Sequence, residues 1–166
     1  MYGAHDLHTP LSSPSDGSGT MSTTTETTRG TVELGNWRAG VAGGLVMGAL
    51  MIVMNVGVIA VAIPSLYTLA PPENRLVGLV VHVSHGATLG VAFAGLVGLL
   101  GADGVAKRVG LGVGWGVATW VGFAALVMPV WLRAVGSPAS PPFPNFAPPS
   151  LLWHVVYGLV LGGVYS

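Results

Sequence analysis

The sequence predicts an all-α integral membrane protein, a four-helix bundle behind a disordered N-terminal tail, and three observations predict it. Of its 166 residues 51% are hydrophobic. Only 7% are charged, against the about 25% that a soluble domain uses to cover its water-facing surface. The charges are also segregated: no Asp, Glu, Lys or Arg falls between Arg38 and Glu73, Arg75 and Asp103, or Arg108 and Arg133, nor after Arg133. Uncharged apolar stretches of about 18 residues or more read as membrane spans.

The tail covers residues 1–35 and is rich in Ser, Thr, Gly and Pro, so it buries too little surface to offset the entropy of ordering. Met21 opens the run Met-Ser-Thr-Thr-Thr, which looks like a translation start and sets His5 and His8 aside as site candidates. The transmembrane domain is residues 36–166. Its first span is residues 37–63, ended by Pro64. As a helix it reaches about 39 Å, enough to cross a ~30 Å hydrocarbon core with tilt. Ala60-Val61-Ala62 resembles a signal-peptide cleavage site, but the apolar region exceeds the usual ~7–15 residues and follows a long tail, so the helix reads as retained.

The second span is residues 76–100 and the third residues 109–132, with Pro129 kinking or ending it. Residues 134–150 hold too many prolines for a helix and form a loop at the membrane surface. The last span, residues 151–166, is short at about 24 Å and crosses with local thinning of the bilayer. Arg29, Arg38, Lys107 and Arg108 fall on one side of this arrangement, and Arg75 and Arg133 on the other. That bias places both termini in the cytoplasm and the Pro-rich loop outside, in the plasma membrane of a prokaryote. Trp131 and Trp153 suit interface anchors.

A formal net charge of zero leaves no electrostatic footprint for nucleic acid. The expected partner is the lipid bilayer, with a homo-oligomer or a larger membrane complex open. Cysteine is absent, which excludes disulfides, thiolate metal sites and covalently attached haem.

Two segments match when set side by side. His82-Val-Ser-His85-Gly86 through Gly90 lies over His154-Val-Val-Tyr157-Gly158 through Gly162, both reading H-x-x-[HY]-G-x-x-x-G. Gly57 and Gly122 each stand seven residues before a proline, Pro64 and Pro129. The pattern implies two tandem helical hairpins of like orientation, with His82 and His154 at similar depth. Each span also carries small residues at intervals of four, which lie along one helical face and let backbones approach. The stripes are Gly40, Gly44 and Gly48; Gly78, His82, Gly86, Gly90, Ala94 and Gly98; Gly110, Gly114, Ala118 and Gly122; and Ser150, His154, Gly158 and Gly162.

Ionisable side chains inside a span are costly and mark functional sites by default. Three readings compete for these histidines. In the first, His82 and His154 ligate a haem b between the second and fourth helices, with Gly86 and Gly158 leaving room for the macrocycle and Phe93, Trp153 and Tyr157 lining it. Such a protein transfers electrons or senses redox state. In the second, His82, His85 and His154 bind a metal ion, although no intramembrane carboxylate is present to orient them. In the third, the histidines hydrogen-bond across helices, with Asn55 and Tyr157 as further intramembrane polar groups, in an accessory subunit or small transport protein. Phe143, Asn145 and Phe146 of the outer loop either cover a pocket there or form a plain surface connection.

The residues Val61-Ala-Ile-Pro64-Ser-Leu-Tyr67, Val81-His82-Val-Ser-His85-Gly86, Pro142-Phe-Pro-Asn145-Phe and Leu152-Trp-His154-Val-Val-Tyr157-Gly158 carry a family resemblance. The chain resembles uncharacterised small membrane proteins of salt-loving archaea over residues 36–166. The resemblance implies the four-helix fold and brings no activity. Members are sometimes labelled histidine kinases, a label the residues here do not support: no Gly-rich nucleotide motif follows a strand, and neither His82 nor His85 precedes an acidic residue. Ser84 and Ser150 have no carboxylate to orient a histidine beside them, and no intramembrane carboxylate pair exists for acid–base work, so no enzyme is read.

Overall fold

The computed structural model describes residues 37–46, 48–49 and 56–165, and every regular element among them is a helix. The expected tail and Asn55 lie outside the described residues. Five helices follow in order: α1 (residues 37–46 and 48–49), α2 (residues 56–65), α3 (Arg75–Leu100), α4 (Val105–Ala134) and α5 (Pro148–Val164).

The ends of α3 follow from its flanking residues. Asn74 caps it by accepting the Val77 N–H at 3.0 Å. Gly101 closes it in the left-handed conformation, φ 55°, where a side chain would clash with the backbone. A second glycine of positive φ, Gly104 at 88°, lets the chain turn straight into α4. The helix α4 starts earlier than the expected third span and ends later, because Lys107 and Arg108 are tolerated in its first turns. Pro148 begins α5, where its missing N–H was unpaired in any case.

Pro129 neither ends nor breaks α4, whereas α2 ends one residue after Pro64, as expected. Each is preceded by a π-helical segment, Val58–Ala62 before Pro64 and Trp120–Val127 before Pro129. A proline removes the N–H that would bond the carbonyl four residues back, and its ring crowds that carbonyl. Those carbonyls are Ala60 and Ala125. Each is taken by the backbone N–H of an asparagine in the following loop, Asn74 to Ala60 and Asn145 to Ala125, both at 2.9 Å. The same solution occurs beside both prolines that the sequence sets side by side.

Glycines set the helix pairings. A Cβ on Gly40 would strike the Gly90 backbone, one on Gly44 the backbone of Gly86 and Ala87, and one on Gly48 the Val83 side chain. As the chain advances along α1 it retreats along α3, so the two are antiparallel. In α4 and α5, Gly112 faces Gly158, Gly116 faces the His154 carbonyl, and Gly162 faces Arg108 and Val109. This pair is antiparallel as well.

One expectation is corrected here. The stripe Gly110, Gly114, Ala118 and Gly122 is not the packing face of the third span: Cβ atoms on Gly110, Gly114 and Gly122 would meet nothing within 4 Å. The packing stripe is Gly112 and Gly116, shifted by two residues or about 200° around the helix. Both faces carry glycines, and burying Trp120, Ala124 and Ala125 on the inner one decides between them. On α3, Gly48 meets Val83, Ile59 meets Gly78, and Tyr67 meets His85.

The two pairs meet in an apolar core of Phe93, Ala94, Val97, Ala102, Tyr157, Leu161 and Tyr165. Phe93 lies edge-on to Tyr165 at 5.6 Å and tilted to Trp115 at 6.3 Å, so it serves the core and not a cofactor pocket. Arg108 ties the ends of this pair together, its Nε donating to the Ala102 carbonyl at 3.0 Å and its terminal nitrogen to the Tyr165 carbonyl.

Candidate functional site

The three expected histidines sit where α3 faces α5. His82 and His85 are three residues apart on α3, which places them on neighbouring parts of one face. Each of the three meets a different environment.

His85 pairs with Tyr67, the phenol oxygen lying 2.8 Å from Nε2 and the ring centroids 5.8 Å apart. Tyr67 lies in the turn after α2, within one of the segments that carry the family resemblance, but the sequence assigned it no role. His154 turns back on its own helix: Nδ1 donates to the Ser150 carbonyl at 2.7 Å. A carbonyl only accepts, so Nδ1 carries the proton and Nε2 keeps its lone pair. His82 has a buried Nδ1 with no hydrogen-bond partner. Buried polar atoms in that state are uncommon and call for an explanation.

Tyr157 joins the two helix pairs, donating its hydroxyl to the Gly86 carbonyl at 2.6 Å. Its ring is buried between α3 and α5, one turn from His82 and one from His154. Gly86 and Gly158, expected to leave a groove for a haem, face inward within their own pairs. Gly86 lies against Gly44, 3.3 Å from where its Cβ would stand, and Gly158 lies against Gly112. Neither glycine thus opens toward the other pair, and the Tyr157 hydroxyl bonds the Gly86 carbonyl. Among the described residues no three His, Cys, Asp or Glu side chains are grouped to hold a metal ion, so His82, His85 and His154 do not converge as a ligand set. Asn55 lies outside the described residues.

The Pro-rich loop folds back along α4. Phe146 packs against Trp120 at 5.7 Å, Asn145 caps Ala125, and Phe143 lines a cleft with Pro129, Val130, Arg133 and Pro141. Trp131, foreseen as an anchor, is half exposed and donates its indole N–H to the Leu66 carbonyl at 2.9 Å. Comparison of the chain with protein-family models, with curated proteins and with solved structures finds no match.

Proposed function

We propose that the chain is a four-span integral membrane protein of two tandem helical hairpins, lying in the plasma membrane of a prokaryote with both termini cytoplasmic. In this reading it is a non-catalytic accessory subunit or small transport protein. Its histidines make helix contacts, and His82 offers its unpartnered nitrogen to a proton or a small polar solute. The observation that carries the membrane reading is the apolar exterior. Arg75–Leu100 and Val105–Ala134 are long and apolar enough to cross a membrane, and only 17% and 28% of their most apolar windows are buried. The core helix of a soluble protein hides such a surface. Here Leu76, Val80, Val130 and Leu152 are exposed, and lipid is the solvent that suits them. Alkaline carbonate treatment of membranes tests this: the protein stays in the pellet, and release to the supernatant would overturn the reading.

One observation favours a second reading, haem b. His154 presents a free Nε2 and His82 an unpaired Nδ1, both suited to an axial ligand. For a macrocycle to enter, α3 and α5 must separate and the Tyr157–Gly86 bond must break. A visible spectrum of the purified protein, made with haem supplied and then reduced, decides between the two readings. A Soret band lost on His82→Ala and on His154→Ala establishes the ligation, and a featureless spectrum removes it.

A further inference from the structure

We infer that two clefts at the loop end of the molecule each bind the anionic headgroup of a membrane lipid, with Arg133 clamping one phosphate and Arg75 the other. This rests on the membrane reading above. The first cleft, about 210 Å³, is lined by Pro129, Val130, Arg133, Pro141 and Phe143. The second, about 310 Å³, is lined by Val56, Ile59, Arg75, Leu76 and Leu79. Each has a single charged group in an otherwise apolar wall. Among the described residues neither guanidinium has a hydrogen bond or an ion pair, although Glu73 stands two residues from Arg75.

A guanidinium is a planar fork that matches phosphate oxygens two at a time, and an apolar surround strengthens that match. The volumes fall at or below the about 300 Å³ where pockets begin to enclose whole drug-sized ligands. They suit a headgroup whose chains leave across the wall. The exits are apolar: Leu76 is 71% exposed, Phe143 58% and Val130 56%. The Trp131–Leu66 bond joins the turn after α2 to the end of α4 that carries Arg133. The half-exposed Trp131 indole marks that level, where Trp side chains settle. A soluble anion would gain nothing from the apolar exits; an acidic phospholipid uses both parts.

The test is native mass spectrometry of the full chain in detergent after exposure to phosphatidylglycerol, phosphatidylcholine or inorganic phosphate. Up to two phosphatidylglycerol adducts are expected to survive activation, with phosphatidylcholine, whose choline cation offsets the same phosphodiester charge, held about tenfold more weakly. Arg75→Gln and Arg133→Gln should each remove one adduct, and the double substitution both. Both side chains are exposed, so neither change should impair folding, and a circular dichroism melt of each variant verifies this. Equal retention of the two lipids, or adducts indifferent to the substitutions, would overturn the inference. Inorganic phosphate binding at these arginines in place of lipid would also overturn it by naming a free anion as the ligand. Release of the protein by carbonate would instead sink the membrane reading beneath it.

Discussion

Gly112 and Gly114 sit two residues apart in α4, and the fold assigns them opposite fates. A Cβ on Gly112 would collide with the Gly158 carbonyl oxygen, and it would also lie 3.0 Å from the Gly158 carbonyl carbon and 3.1 Å from the Gly162 nitrogen. All three are backbone atoms and cannot rotate away. A Cβ on Gly114 meets nothing within 4 Å. Replacing either by Ala brings the same gain in helix propensity, about 1 kcal/mol, which cancels in the comparison. What remains is the overpacking at residue 112, about 1–3 kcal/mol. Relieving it separates α4 from α5, and a gap of about 0.5–1 Å already forfeits a quarter to a half of each atomic contact. Unfolding in mixed detergent, followed by tryptophan fluorescence, reads both variants on one scale. Gly112→Ala should be less stable than Gly114→Ala by about 1–3 kcal/mol, with Gly114→Ala at or above the parent. Equal stabilities, or the reverse order, would refute the packing of α4 on α5 through the Gly112 and Gly116 face.

Other substitutions probe the polar contacts. Asn145→Pro removes the N–H that serves the Ala125 carbonyl and should cost about 1–3 kcal/mol, while Asn145→Ala keeps the backbone bond and should cost much less in the same unfolding assay. Tyr157→Phe deletes the hydroxyl on the Gly86 carbonyl, a loss of about 0.6 kcal/mol by the average of intramembrane hydrogen bonds, and a change above ~2 kcal/mol would show a larger role for this contact. Tyr67→Phe frees His85 Nε2, so the histidine side-chain resonances should shift at His85 and stay in place at His154 in a nuclear magnetic resonance spectrum.

Much of the architecture was legible in the sequence. The second span differs from α3 by one residue, because Asn74 and Gly101 punctuate both ends by mechanisms readable from residue type. The proline part of the match also has a physical basis: both proline-freed carbonyls are capped by the backbone N–H of a loop asparagine. The face of α4 was not legible. Glycine stands at 110, 112, 114 and 116, so four-residue spacing fits two opposite faces and tertiary burial decides. Pro148 was read as loop because composition does not separate a proline in a loop from one opening a helix.

The candidate site was legible only in part. The sequence singled out His82, His85 and His154, and the structure gives each its own surroundings: an unpartnered Nδ1, the Tyr67 hydroxyl and the Ser150 carbonyl. It did not foresee that Gly86 and Gly158 would be consumed by their own hairpins, since a glycine beside a histidine looks the same whether it opens a groove or admits a neighbouring backbone. Tyr67 was missed because its reach to His85 depends on the path of the chain after α2. Arg75 and Arg133 were counted for orientation alone, and the clefts around them exist only once the loops are folded.

The central claim, two tandem hairpins crossing the membrane in the same sense, is tested most directly by cysteine accessibility in intact cells. The native chain has no cysteine, so each introduced thiol reports alone. Glu73→Cys and Pro142→Cys should react with a membrane-impermeant maleimide from outside, and Asp103→Cys only after the cells are opened. Labelling of residue 103 from outside together with 73 or 142 would contradict the arrangement and the four-span reading built on it.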